Sequence, residues 1–302
     1  MESVSFNNLT KHYGAVRALR GVSLTIDDGE MFGLIGPDGS GKTTLMRILT
    51  SLLLPDSGSA TVAGLDVCRD YRKLRGCIGY MPGRFSLYAD LTVEENLHFF
   101  ATVFQTSLSE NYSLVRDIYQ QLEPFKARRA GKLSGGMKQK LALCCALIHR
   151  PKVLFLDEPT TGVDAVSRQE FWEMLARIRK EGITVLASTP YMDEATRCDR
   201  IALMDNGRFM QVDPPAAVAA SYPYPLWAVR TSEMHRVLAD LRAYPDTRSA
   251  FSFGDSVHAS FTVPLSPKNL EEYLRLHGHQ SVEIIRIRPC VEDCFILLAS
   301  KS

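Results

Sequence analysis

A glycine-rich segment that ends in a lysine and a threonine is the part of this chain best suited to phosphate chemistry. Residues 36–43 read GPDGSGKT, which fits the pattern G-x-x-x-x-G-K-[ST]. Glycines let successive backbone N–H groups approach an anion, Lys42 offers a positive charge to the outer phosphates, and Thr43 offers a hydroxyl to Mg²⁺. We predict a nucleotide-binding segment, called the phosphate loop below, that comprises Gly36, Pro37, Asp38, Gly39, Ser40, Gly41, Lys42, Thr43 and Thr44.

Two adjacent carboxylates follow an apolar run at residues 153–156. A carboxylate at the end of a buried strand is costly unless it holds a metal, so Asp157 is predicted to bind Mg²⁺ directly or through water. Thr43 is the second predicted metal ligand. Glu158 is the natural general base for a water molecule that attacks a phosphate, and Lys42 and Glu158 are the predicted catalytic residues.

A third segment places a serine and two glycines at the start of a predicted helix. The hydroxyl of Ser134 and the unhindered N–H groups of Gly135 and Gly136 would form an anion site at the positive end of the helix dipole. A simple helix cap is the alternative for Ser134 taken alone. The whole segment is therefore predicted to contact nucleotide.

Residues 133–137, LSGGM, resemble the signature of the ATP-binding cassette (ABC) family, and the resemblance covers about the first two-thirds of the chain. It implies ATP as the ligand, Mg²⁺ as its cofactor, and a second nucleotide-binding subunit, because the family clamps nucleotide between the phosphate loop of one subunit and the signature of another. It also implies that Asp157 and Glu158 are the Walker B aspartate and the catalytic glutamate. Asp164 looks like part of the loop that crosses between subunits. Tyr13 stands where the family has an aromatic that stacks on adenine, and a buried strand aromatic is the alternative.

Two positions depart from the family pattern. Gly83 stands where the family usually has a glutamine that contacts Mg²⁺ and the attacking water. Pro190 stands where it usually has a histidine that contacts the γ-phosphate. Since Glu158 is retained, we expect hydrolysis to be slowed rather than abolished.

The tail at residues 289–295, PCVEDCF, together with YMDEA at residues 191–195, is similar to subunits that serve ABC-2-type multidrug exporters. This implies an ATP-hydrolysing subunit, peripheral on the cytoplasmic side of the plasma membrane, that powers export of a drug or lipid-like substrate through separate integral membrane permease subunits. Residues 85–90 and a helical subdomain would form the permease groove. The alternative is a degenerate, largely non-catalytic subunit paired with a catalytic cassette.

Composition argues against several other classes. A net charge of +1 lacks the basic excess of nucleic-acid binders, so no nucleic acid partner is expected. The seven cysteines form no paired C-x-x-C arrangement with nearby histidines, which argues against zinc and is typical of a reducing compartment. No secretory signal and no membrane-spanning run are predicted.

The element pattern predicts an α/β fold: a P-loop NTPase core with an antiparallel β subdomain and a helical subdomain at about 90–150. Apolar runs at 31–35, 153–156 and 183–187 predict strands, the last two parallel, and a helix is expected at 43–52. Asp205-Asn206-Gly207 predicts a hairpin. The predicted cassette is 1–220. Residues 221–302 alternate strands and helices in the order of a small ferredoxin-like α+β domain.

Overall fold

The computed structural model describes residues 2–300, and the chain divides into two compact units between Pro215 and Ala216. The predicted boundary after residue 220 lies a few residues further on. The division falls earlier because the helix that starts at Pro215 belongs with the second unit, where Cys294 donates its thiol hydrogen to the carbonyl of buried Val218.

The first unit contains an antiparallel sheet of order β2-β1-β4-β5 and a six-stranded sheet of order β10-β9-β3-β8-β7-β6. The strands are β1 (Glu2–Tyr13), β2 (Val16–Asp27), β3 (Met31–Ile35), β4 (Ser57–Val62), β5 (Leu65–Asp66), β6 (Ile78–Met81), β7 (Val153–Asp157), β8 (Thr184–Thr189), β9 (Arg200–Asp205) and β10 (Arg208–Asp213). The helices of this unit are α1 (Lys42–Leu49), α2 (Tyr71–Arg75), α3 (Val93–Val103), α4 (Tyr112–Leu122), α5 (Gly135–Leu147) and α6 (Ala165–Lys180), and α7 (Pro215–Ala220) follows at the start of the second unit. Short 3₁₀ segments lie at Glu123–Phe125, Ala130–Lys132 and Met192–Arg197.

The large sheet brings the ends of several strands to one edge. β3, β7 and β8 are buried at every residue, and β3, β6, β7, β8 and β9 run parallel. Apolar runs of this kind suit strands covered on both faces, which confirms the predicted parallel strands. Because parallel strands end at the same edge, the segments that follow β3, β6, β7 and β8 meet there.

Helix α1 packs between the two sheets. Its buried Leu45 and Met46 share one core with Val4 of β1 and Phe32 of β3. The helix ends at Leu49 rather than at the predicted residue 52. The Thr50 hydroxyl donates a hydrogen bond to the carbonyl oxygen of Met46, and Ser51 has a φ of 58°, which is outside the helical range. This core fixes the direction in which α1 leaves the large sheet.

The predicted helical subdomain consists of α3, α4 and α5, with a break between α3 and α4 at residues 104–111. Thr92 begins α3 with a capping box in which it exchanges hydrogen bonds with Glu95, an arrangement that a threonine followed three residues later by a glutamate favours. The hairpin between β9 and β10 turns at Asn206 and Gly207, both with positive φ, as expected for its type.

The second unit has an antiparallel sheet of order β12-β13-β11-β14, which is the predicted ferredoxin-like arrangement. Its elements are β11 (Leu226–Arg230), α8 (Met234–Ala243), β12 (Thr247–Phe253), β13 (Ser256–Phe261), α9 (Pro267–Leu276), β14 (Glu283–Ile287) and α10 (Val291–Ala299). Residues of α8 and α9 such as Leu241 and Leu270 pack on Val229 and Val257 of the sheet. Within residues 2–300, no helix combines the length and apolar character needed to cross a bilayer.

Candidate functional site

The phosphate loop connects the buried end of β3 to the first turn of α1. Gly41 precedes the helix with a φ of 110°, and a Cβ added there would lie 2.5 Å from the carbonyl oxygen of Ala18. Only glycine tolerates this conformation and this approach. The result is a tight loop that leads directly into a helix N-terminus, where free backbone N–H groups favour an anion.

Lys42 is 3% exposed, and its ammonium group is held by the loop that precedes it. Nζ donates to the carbonyl oxygens of Gly36 at 2.8 Å and Pro37 at 2.9 Å, and it lies 3.3 Å from Oε1 of Glu158. A buried cation needs such partners to offset its lost hydration. The predicted catalytic pair is therefore in direct contact.

Thr43 and Asp157 also meet, although they are far apart in sequence. The Thr43 hydroxyl donates to Oδ1 of Asp157 at 3.1 Å, and Ser188 donates its hydroxyl to the same oxygen at 2.7 Å. Hydroxyl and carboxylate oxygens are suitable ligands for Mg²⁺, which is commonly bound by only one or two carboxylates of a protein. The pair therefore fits Mg²⁺, while residues 2–300 contain no cluster of three or more His, Cys, Asp or Glu suited to a metal.

Glu158 occupies a strained backbone position at the end of β7. Its φ of 50° lies in the left-handed region that non-glycine residues rarely adopt. Its N–H donates to the carbonyl oxygen of Ser188 at 3.1 Å and to the Ser188 hydroxyl at 3.0 Å. Thus β8 holds Glu158 in a conformation that turns its carboxylate toward Lys42.

A cavity of about 610 Å³ brings many of the predicted residues together. Predicted residues that line it are Tyr13, Gly39, Gly41, Lys42, Thr43, Thr44 and Glu158, and its other lining residues are Ala15, Val16, Arg17, Ala18, Arg20 and Asn206. Tyr13 is 47% exposed at the end of β1, so the alternative of a buried strand aromatic is wrong. Arg17 and Arg20 add positive charge that suits a polyanion. These two arginines were not predicted, because surface arginines on a strand belong to no sequence motif.

The serine–glycine segment lies apart from this cavity. Ser134 caps α5 by accepting a hydrogen bond from the N–H of Met137 at 3.3 Å. A Cβ added at Gly135 would lie 3.6 Å from the Gly162 carbonyl oxygen, and one added at Gly136 would lie 3.1 Å from the Ser167 hydroxyl.

Asp164 belongs to this second cluster, because it caps α6 through the N–H and hydroxyl of Ser167. These hydrogen bonds lower the pKa of Asp164. Ser134, Gly135, Gly136 and Asp164 form one surface, and none of the four lines the cavity.

Of the two departures from the family pattern, Gly83 lies next to the paired carboxylates and Pro190 directly follows a residue bonded to the phosphate loop. A Cβ added at Gly83 would lie 3.0 Å from the carbonyl oxygen of Asp157, so the chain after β6 approaches β7 closely. Pro190 follows Thr189, whose carbonyl oxygen accepts a hydrogen bond from the N–H of Gly36 at 3.3 Å. Neither side chain supplies a polar group to the site.

Ser188 is a further residue that the sequence analysis missed. It contacts both Asp157 and the N–H of Glu158, and it is completely buried. The available signal was its place at the end of β8, an apolar strand that must run beside β7. Strand order is what makes this residue part of the site.

Comparison with known proteins gives consistent matches. The ABC transporter family matches residues 19–161. The chain is 38% identical to the probable multidrug ABC transporter ATP-binding protein YbhF of Escherichia coli (strain K12), over 97% of this chain and 51% of that protein. It therefore spans about half the length of that relative. It is 36% identical to the daunorubicin resistance ATP-binding protein DrrA2 of Streptomyces coeruleorubidus, over 96% of this chain and 92% of that protein.

Solved structures agree with the sequence relatives. An ATP-binding subunit of an ABC transporter aligns with a TM-score of 0.66 and 26% identity, over 72% of this chain and 92% of that chain. A dimeric ATP-binding cassette in a post-hydrolysis state, bound to ADP and Pi, aligns with a TM-score of 0.63 and 26% identity, over 70% of this chain and 98% of that chain.

A further relative matches this chain along nearly its whole length. The chain is 33% identical to the Nod factor export ATP-binding protein I of Burkholderia orbicola (strain AU 1054), over 99% of this chain and 97% of that protein. Since identity of this degree extends over almost the full length of both proteins, the chain belongs to the ABC transporter family of ATP-binding proteins.

Proposed function

We propose that this chain binds and hydrolyses ATP as the nucleotide-binding subunit of an exporter. The observation that carries the proposal is the meeting of Lys42, the Thr43–Asp157 pair and Glu158 beside one polar cavity. Lys42 suits a phosphate anion, the Thr43–Asp157 pair suits a divalent cation, and Glu158 suits an attacking water molecule. The relatives named for multidrug, daunorubicin and Nod factor export support export as the biological role.

Each residue has a separate task in the proposed reaction. The N–H groups of the phosphate loop and the Lys42 ammonium bind the phosphates, and Tyr13 stacks on the adenine. Glu158 accepts a proton from the attacking water and orients it toward the terminal phosphate. Thr43 and Asp157 would hold Mg²⁺, which when bound would neutralise charge on the phosphate oxygens.

The active unit in this proposal is a dimer of cassettes. Ser134, Gly135, Gly136 and Asp164 lie on a surface apart from the cavity, so a second nucleotide-binding subunit would present its own copy of this surface to the nucleotide. The dimeric cassette among the structural relatives supports this arrangement. Partnership with an identical chain is the simplest form, and a different cassette is the alternative.

An apolar groove on the first unit is suited to binding a membrane protein. A cavity of about 360 Å³ is lined by Ser86 and Leu87 after β6, by Phe100 and Val103 of α3, and by Ala142 of α5, among others. Val103 is largely exposed beside it. We propose that a segment of an integral membrane permease binds in this groove, which would hold the subunit on the cytoplasmic side of the plasma membrane.

The deciding experiment compares Mg²⁺-dependent ATP turnover of the purified chain with that of Glu158→Gln. We expect measurable turnover in the unaltered chain and a loss of at least about a hundredfold in the variant, because Glu158→Gln removes the proposed base while keeping its shape. Glu271→Gln, an exposed position on α9, is the matched control and should retain full turnover.

Equal turnover in the chain and in Glu158→Gln would contradict hydrolysis by this site. If both proteins still bound ATP tightly, the non-catalytic subunit paired with a catalytic cassette would replace the present proposal.

A further inference from the structure

A buried carboxylate within the segment YMDEA, to which no role has been assigned above, connects the turn after β7 to the end of β8. Glu194 lies on the 3₁₀ segment after β8 and is 4% exposed. Its Oε1 and Oε2 accept the Thr160 hydroxyl at 2.8 and 3.1 Å, and Oε2 also accepts the Thr189 hydroxyl at 2.5 Å. Arg168 offers only a distant charge, with Nη1 at 3.9 Å from Oε1. The two threonine hydroxyls are therefore the main compensation for burying this carboxylate.

The two threonines belong to the segments that adjoin the reacting groups. Thr160 stands two residues after Glu158, in the turn in which Thr161 donates its N–H to the Glu158 carbonyl oxygen. Thr189 is the last residue of β8, and its carbonyl oxygen accepts the N–H of Gly36 in the phosphate loop. Glu194 thus joins the turn after β7 to the end of β8, which is itself joined to the phosphate loop.

The backbone on both sides of this connection needs to be held in place. Glu158 has a φ of 50°, and strain of this kind persists only where neighbouring contacts hold the backbone. Pro190 has neither an N–H nor a polar side chain with which to fix the end of β8 near the cavity. The Glu194 carboxylate restrains both segments and is not among the residues that line the cavity.

We infer that Glu194 is a positioning residue for ATP hydrolysis: through the hydroxyls of Thr160 and Thr189 it sets Glu158 and the end of β8 relative to the phosphate loop. This inference rests on the proposed ATPase function. Glu194 itself does not contact the substrate. Its contribution should be larger in the transition state than in the bound ground state, since small displacements of a general base slow chemistry more than binding.

The test removes the hydroxyls without changing side-chain shape. Thr189→Val and Thr160→Val keep the branched side chain and delete the donor, while Thr189→Ser retains it. The matched control is Thr184→Val, at the opposite end of β8, where an equally buried hydroxyl donates to Ser3 instead. Thermal unfolding of all variants separates loss of stability from loss of positioning.

Three quantities are compared for each protein: kcat for ATP hydrolysis, the affinity for Mg²⁺-ATP, and the affinity for Mg²⁺-ADP with orthovanadate, which mimics the transferring phosphate. In Thr189→Val we expect kcat and orthovanadate-dependent affinity to fall about tenfold while ATP affinity changes less than about twofold. Thr160→Val should behave alike, and Thr189→Ser should recover most of the loss. Thr184→Val should change stability alone.

Failure of this inference is distinguishable from failure of the proposed function. An unaltered ratio of orthovanadate to ATP affinity in Thr189→Val, or the same change in Thr184→Val, would overturn the positioning role. Absence of turnover in the unaltered chain would contradict the proposed function, and the ratio of affinities would still decide the role of Glu194.

Discussion

At the scale of single residues, the site combines a complete set of groups for phosphate chemistry with two positions that supply none. The groups form two contacting pairs. The Thr43 hydroxyl lies 3.1 Å from Oδ1 of Asp157, and Nζ of Lys42 lies 3.3 Å from Oε1 of Glu158. Pro190 follows directly on Thr189, which is hydrogen-bonded to the phosphate loop. A polar side chain at residue 190 would therefore start close to the place where charge develops during hydrolysis.

Restoring a histidine at residue 190 should accelerate hydrolysis. We expect Pro190→His to raise kcat roughly tenfold, because an added donor near the terminal phosphate would stabilise the charge of the transition state. Steady-state ATP turnover measures the effect, and Pro264→His, in an exposed loop of the second unit, is the control. Turnover unchanged or lowered in Pro190→His would show that the present geometry does not direct residue 190 toward the phosphate.

The same restoration is less favourable at Gly83. A Cβ there would lie 3.0 Å from the carbonyl oxygen of Asp157, so β7 or the segment after β6 would have to move by a few tenths of an ångström. A shift of β7 would displace Asp157, the carboxylate proposed to bind Mg²⁺. Of the two positions that depart from the family pattern, Pro190 is therefore the better one to substitute.

At the scale of elements, short polar contacts decide where helices begin and how strands are covered. In the second unit, α10 begins next to Asp293, which accepts the N–H of Cys290 and a hydrogen bond from Nδ1 of His258 on β13 at 2.7 Å. Burial raises the pKa of Asp293, but the hydrogen bonds from His258 and Cys290 outweigh it and leave the pKa below its ordinary value of 3.8. The ionised carboxylate is therefore favoured in the folded unit.

This pKa shift predicts how the stability of the second unit depends on pH. Since the folded pKa of Asp293 is depressed, its stabilising effect is complete above about pH 4 and is lost as the pH falls through the folded value. Asp293→Asn should lower the free energy of unfolding by about 1–3 kcal/mol at pH 7. The difference from the unaltered chain should shrink in acid.

Denaturant unfolding of the full chain measures the effect of Asp293→Asn on stability. Hydrogen exchange in residues 256–299 reports on the second unit in particular. Asp255→Asn, which alters an exposed carboxylate on the hairpin between β12 and β13, is the matched control and should cost little. An equal loss at pH 7 and at pH 3 would contradict the assigned role of the Asp293 charge.

At the scale of the whole molecule, one chain carries two separate surfaces that the proposed function assigns to the two halves of a nucleotide site. The phosphate loop and Glu158 line the cavity, while Ser134, Gly136 and Asp164 lie on another surface. A complete site under the proposed function therefore needs two copies, each of which contributes a different half. This requirement can be tested by mixing variants that are defective in opposite halves.

Mixing Lys42→Ala with Ser134→Arg should restore activity that each variant lacks alone. Lys42→Ala removes the phosphate-binding cation, and Ser134→Arg blocks the start of α5. Half of the dimers in an equal mixture would contain one of each, with one intact site of two, so roughly a quarter of the normal turnover is expected. Turnover and size-exclusion chromatography with ATP measure the outcome.

The control for this experiment mixes Lys42→Ala with Glu158→Gln, which damage the same half and should show no recovery. Absence of recovery in the Lys42→Ala and Ser134→Arg mixture, with both proteins folded and dimeric, would argue against a site shared between identical chains.

The sequence by itself determined the local chemistry and most of the elements. The phosphate loop, the capping box at Thr92 and the turn at Asn206-Gly207 depend on residues within a few positions of one another, so their patterns are readable directly. The apolar runs of β3, β7 and β8 predicted buried parallel strands for the same reason. An antiparallel β subdomain was predicted, but the positions of its strands β1 and β4 were not, because neither segment shows a sustained alternation of polar and apolar residues.

Only the tertiary structure decided which distant residues meet. Ser188 reaches Asp157 and Glu158 because β7 and β8 are neighbours, and Glu194 reaches Thr160 because the chain after β8 folds back behind β7. The contact of Thr43 with Asp157 likewise depends on the order of strands in the sheet. Such contacts join residues thirty or more positions apart, and no local pattern encodes them, since strand order follows from the packing of all elements together.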